Sequence, residues 1–110
     1  MTPAELRDLS AFLAINIMRW KEERFNNHAV WVDEKKNIVC LQDAWTPPTN
    51  IAQAFEVVEK LRTTLFKWFE MAHRPAGFTC NFVGDPHYTE FAETAELAIC
   101  LAAKKAVEGK

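Results

Sequence analysis

Six side chains carry the chemistry most often recruited for catalysis or metal binding: His28, Cys40, His73, Cys80, His87 and Cys100. A metal site needs such ligands clustered at short spacings. Here they are scattered, with no C-x-x-C and no H-x-x-x-H. A nucleophilic cysteine needs a histidine within reach, and Cys80 with His87, across an expected turn, is the best pair. Cys80 alternates with Phe78 and Phe82, however, on the face expected to be buried, where a cysteine behaves as a small hydrophobe. Phosphate-binding loops are absent, because Gly77, Gly84 and Gly109 match neither G-x-G-x-x-G nor a Walker spacing. The acidic pairs Glu22-Glu23 and Asp33-Glu34 sit in polar segments, where solvated charge is the ordinary reading. Nothing in the spacing brings Asp43, Asp85 and Glu90 together. The residues therefore predict no catalytic set, no metal and no cofactor.

The totals narrow the class further. A chain of 110 residues matches one domain and can bury a real core. The formal charge is −2 and the basic residues are dispersed, which argues against a nucleic-acid footprint. No apolar run approaches the ~20 residues of a membrane span. The opening MTPAELRDLS has no basic start followed by an apolar run, so no secretory signal is expected. Three widely spaced cysteines in apolar surroundings read as reduced thiols of a cytosolic compartment.

The elements that must position these residues follow from periodicity. Thr2, Pro3 and Glu5 form a capping-box start for a helix running to about Trp20. Leu6, Leu9, Leu13, Ile17 and Trp20 are its stripe, widened by Phe12 and Ile15. Lys21 to His28 is polar and reads as a loop. Val30–Val32 and Ile38–Leu41 flank the charged turn Asp33–Asn37 and predict a hairpin. Four consecutive apolar residues in Ile38–Leu41 suggest a strand covered on both faces. Pro47 and Pro48 hold back a second helix capped by Asn50, with Gln53 at capping-box spacing. Its stripe of Ile51, Ala54, Phe55, Val58, Leu61, Leu65, Trp68 and Phe69 carries it to about Met71. Phe78–Val83, the turn Gly84–His87 and Tyr88–Phe91 predict a second hairpin. A third helix, rich in small residues, runs from Thr94 to about Val107. The predicted order is α-β-β-α-β-β-α.

Three stretches also resemble a known family. Ile17-Met18-Arg19-Trp20, the run from Trp45-Thr46-Pro47-Pro48-Thr49-Asn50 to Leu61, and Thr94-Ala95-Glu96-Leu97-Ala98-Ile99-Cys100-Leu101-Ala102-Ala103 are similar to the phage ABA-sandwich domain family of small phage and prophage proteins. The likeness covers nearly the whole chain in the same order. It departs from the common pattern at Pro48, Phe55 and Glu96, where serine, tryptophan and proline are usual. The resemblance implies an α+β fold, a three-layer α/β/α sandwich. With the predicted order, that means a four-stranded, mainly antiparallel sheet in a single domain over residues 1–110. It also implies phage origin and action in the bacterial host cytoplasm. It supplies no activity and no catalytic residues.

A well-specified fold without a reactive constellation points to a non-enzymatic phage or prophage accessory protein. Its expected partner is a host or phage protein, or a second copy of the chain, and neither nucleic acid nor membrane. The candidate contact residues are Trp45, in the Pro-rich loop, with Thr79, Asn81 and Thr89 on the exposed side of the second hairpin. Trp45 has a competing reading as a lid over the end of the core. Trp68 and Phe69 are adjacent, so both cannot point into one core, and one is left for a sheet edge, another subunit or a partner. The alternative function is binding of a small molecule or nucleotide in a pocket lined by Trp31 and Trp45.

Overall fold

Helix α1, Pro3–Asn16, begins where the capping box places it. Glu5 N donates to Thr2 Oγ1 at 3.1 Å, and Thr2 N donates to Glu5 Oε1 at 3.0 Å. Those bonds stabilise the ionised carboxylate and hold the Glu5 pKa below its ordinary value. This computed structural model describes residues 1–64, 68–83 and 87–109. The helix stops short of Trp20, because Arg19 takes a left-handed φ of 63° and turns the chain out. Leu9, Leu13 and Ile17 are buried as the stripe requires, whereas Ile15 is exposed.

Strands β1 (Lys21–Phe25), β2 (His28–Val32) and β3 (Ile38–Leu41) form an antiparallel sheet in that order. The expected loop Lys21–His28 is thus mostly strand. Every residue of β1 is exposed, so it carries no apolar alternation from which a strand could be read. Its turn is legible in retrospect. Asn26 and Asn27 have φ of 50° and 66° and link Phe25 to His28, the two-residue hairpin geometry that asparagine tolerates. In the next turn Asp33 Oδ1 accepts from Lys35 N and Asn37 N, both at 2.9 Å. The double cover expected for Ile38–Leu41 is not observed. This is an edge strand, with Ile38, Val39 and Leu41 all exposed.

Two single 3-10 turns, Gln42–Ala44 and Pro47–Thr49, lead into α2, Ile51–Thr64. Gln53 N donates to Asn50 Oδ1 at 3.1 Å. The Gln53 side chain closes no box. It binds the loop instead, accepting from Thr46 N and donating to Ala44 O, both at 2.7 Å. Ala54, Val57, Val58 and Leu61 face the core.

The predicted continuation of α2 to Met71 is overturned. Helix α2 is described as far as Thr64, where the hydroxyls of Thr63 and Thr64 both donate to Lys60 O. The predicted stripe residue Leu65 lies outside the described residues. Trp68–Arg74 is strand β4, paired antiparallel along its length with β5, Gly77–Val83, which pairs in turn with β6, Tyr88–Ala92. Cross-strand pairing overrides the local helical period. Of the second hairpin's turn, Gly84–Pro86 lie outside the described residues and His87 is exposed.

Helix α3, Ala95–Glu108, is capped by Thr94, whose Oγ1 accepts from Leu97 N at 3.3 Å. Its buried face of Ala98, Ile99, Cys100, Ala102, Ala103 and Ala106 lets it pack closely on β5, β6, α2 and α1. The core joins these elements to Trp31 and Trp45. The fold is therefore α+β, and the described residues form helices and two three-stranded antiparallel sheets rather than one sheet of four strands. The order is α-βββ-α-βββ-α.

Candidate functional site

The thiols are placed for packing. Cys80 and Cys100 are buried and Cys40 is partly exposed, all three free. Burial pushes the Cys80 thiol up to about 11. Cys100 is raised by burial, then by Cys80 and Glu96, and Cys40 by burial and then Glu56. Cys80 packs on the helix side of its sheet, its Sγ 4.0 Å from Ala95 O. His73 stacks on Phe78, with ring centroids 4.9 Å apart. Glu90 lies 3.5 Å from Lys105. Among the described residues, no three His, Cys, Asp or Glu side chains converge as metal ligands, and no helix is long and apolar enough to cross a membrane.

The raised thiol predicts a pH dependence with a definite sign. From pH 9 to about 11 the unfolded chain releases the Cys80 proton while the folded chain keeps it, with an ordinary value of 9.0. Stability is then complete below pH 9 and falls as pH rises, at about 1.4 kcal/mol per pH unit for this thiol. Denaturant melts of the parent and of Cys80→Ala should show that much less slope in the variant. Equal slopes would count against a buried thiol.

Trp45 is 3% exposed, so its indole is no surface anchor. Its Nε1 donates to Ser10 O at 3.0 Å, and its ring meets Trp20 edge-on with centroids 4.7 Å apart. It closes the end of the core, and a cavity lies on either side. A broad groove of about 760 Å³ runs between α2 and β3, past Val39, Cys40, Phe55 and Glu56. A smaller cavity separates the start of α1 from Trp31.

Thr79, Asn81 and Thr89 do come together. Strand alternation puts them on the face of the second sheet turned away from α3. Asn81 lies between Glu70 and Thr89, and Thr79 between Ala72 and Phe91. Thr89 Oγ1 and Asn81 Oδ1 are 3.0 Å apart. The same face carries Trp68, 67% exposed, and Phe91, 49% exposed. Phe69, its neighbour in sequence, turns inward, with its ring 5.0 Å from Phe82 and 6.4 Å from Phe55. Sequence reading did not place these two exposed aromatics here. The adjacency of Trp68 and Phe69 was the available signal, obscured by assigning both to a helix.

The phage ABA sandwich domain family matches residues 11–104. A solved structure, a phage protein from Bacillus cereus ATCC 14579, is similar over 98% of this chain and 89% of its own, with a TM-score of 0.69 and 23% identity. At that identity the likeness bears on the fold. No curated protein matches the chain.

Proposed function

We propose that this chain, which belongs to the phage ABA sandwich domain family, is a non-enzymatic accessory protein of a phage or prophage. It binds a host or phage protein through the outer face and β4 edge of its second sheet. It acts in the bacterial cytoplasm and performs no chemistry of its own. The observation that carries this reading is Trp68, two-thirds in water and on one face with Phe91. Buried tryptophan anchors dominate the energy of protein interfaces, and exposed ones gain most from being covered. The polar row Glu70–Asn81–Thr89 between them can supply register.

Of the four edge strands, β1, β3, β4 and β6, β1 and β4 bear on the choice most directly. Edge β1 is guarded by Lys21, Glu22, Glu23 and Arg24, a pattern that discourages strand pairing. Edge β4 opens with Trp68 and Phe69 and is seven residues long, which suits strand addition. The buried, protonated Cys80 supports the non-enzymatic part, since the thiolate is the nucleophile.

An alanine panel tests the proposal. Trp68→Ala should weaken capture of the partner by at least about 2 kcal/mol, roughly thirtyfold. Phe91→Ala should weaken it by about 1 kcal/mol or more, with both melts near the parent's. If both variants bind as the parent does, the second sheet is not the docking face.

A further inference from the structure

We infer that the β4 edge takes a second copy of this chain, β4 pairing antiparallel with β4 about a two-fold axis at Met71. This names an occupant for the edge that the docking reading singles out, and it rests on that reading for the edge alone. The two second sheets then become one of six strands, β6-β5-β4-β4-β5-β6, and their outer faces join. Among the described residues no strand covers that side of β4.

The register follows from symmetry and from the ladder. A two-fold axis between antiparallel strands must pass through a residue opposed to its own copy, because side chains alternate between faces. Full overlap therefore needs an odd number of residues, which rules out the four of β3. The central residue is Glu23 in β1 and Glu90 in β6, so full overlap there would oppose like charges, which is destabilising. The centre of β4, Trp68–Arg74, is the neutral Met71, 42% exposed. The backbone agrees. Arg74 pairs with Gly77 across the two-residue Pro75-Ala76 loop, which closes as a hydrogen-bonded pair. By alternation Phe69, Met71 and His73 turn their N–H and C=O to the free edge. About Met71 these residues oppose one another, Phe69 to His73 and Met71 to itself, so the ladder is complete.

The side chains match as well. On the outer face Trp68, two-thirds in water, comes opposite Arg74 of the second copy, a cation–π pair. Glu70 comes opposite the small Ala72 and diagonal to Arg74 of the second copy, within reach of long side chains. Two such Glu70–Arg74 diagonals outweigh the single Glu70–Glu70 diagonal across the axis. A partner seated across both joined faces binds only the dimer and so favours it.

Light scattering of the full chain over a dilution series needs no partner, so its failure is separate from failure of the outer-face panel. The mass should rise with concentration from 12.6 kDa to twice that. Met71→Lys, which puts like charges on the axis, should weaken the dimer at least about tenfold, while its melt in dilute solution stays near the parent's. Met71→Cys in a Cys40→Ser chain should form a disulfide dimer in air. Hydrogen-bonded pairs place their Cα atoms about 5.5 Å apart, inside the span that a disulfide bridges. Glu70→Cys in the same chain should not, because its two copies lie ~7–8 Å apart on the diagonal. A chain that stays monomeric at every concentration overturns the inference and leaves the edge to a strand of the partner. So does a Met71→Lys dimer as tight as the parent's, or Glu70→Cys bridging as readily as Met71→Cys. Should Met71→Lys melt early, the two cysteine variants decide the matter.

Discussion

Gly77→Ala should remove a large share of the fold's stability. Gly77 opens β5 opposite Arg74 and beside the end of β6. A Cβ there would run into the carbonyl oxygen of Ala92, with Ala92 C and Glu93 Cα each at 3.0 Å. Overpacking against side chains costs about 1–3 kcal/mol because rotamers can give way. Here the obstacle is backbone, held in register by Phe78 opposite Ala92. We therefore expect a loss of at least about 3 kcal/mol, a large share of the ~5–15 kcal/mol stability of a domain. Gly109→Ala is the control. Its Cβ would meet the ring of Tyr88, itself buried, but Gly109 is the C-cap of α3, where helix ends fray and the backbone can shift, so the loss should be smaller than at Gly77. Urea melts measure both. A Gly77→Ala midpoint close to the parent's would mean that β5 and β6 do not approach as described.

The second large effect is on α2. Leu61 is 1% exposed within the cluster that joins α2 to α3. Leu61→Ala should cost roughly 2–5 kcal/mol, the sum of lost transfer energy and a residual cavity. Two residues away, Glu59 is exposed and pairs with Arg62 at 2.8 Å. Surface pairs of this kind contribute little, so Glu59→Ala should stay within about 0.5 kcal/mol. Similar small effects for both would show that the buried face of α2 has been misassigned.

The helix starts were legible because their signals are local. Thr2 with Glu5, Asn50 with Gln53, and Thr94 each act within one turn of chain. Helix ends were less so. Arg19 ends α1 through a left-handed φ that nothing in its type announces. The period of α2 ran on past Thr64 because Trp68 and Phe69 continue a helical spacing by coincidence, and only pairing with β5 decides their state. Strand β1 was hidden for the opposite reason, since a fully exposed edge strand leaves no burial pattern to read. The candidate face was half visible. The alternation of β5 placed Thr79 and Asn81 outward, but Trp68 joins them only through a strand pairing between distant residues. Trp45 stood out by its setting in a Pro-rich loop. Its burial depends on Ser10, 35 positions earlier in the chain.

The most direct test of docking through the second sheet is amide hydrogen exchange of this chain, free and bound to its captured partner. Exchange reports local opening and protection along the backbone. The docking account predicts slower exchange in the complex across Trp68–Arg74 and Thr89–Phe91. Amides of β1 and of the groove between α2 and β3 should be unchanged. Protection confined to that groove, around Val39, Cys40 and Phe55, with β4 unaltered, would contradict it.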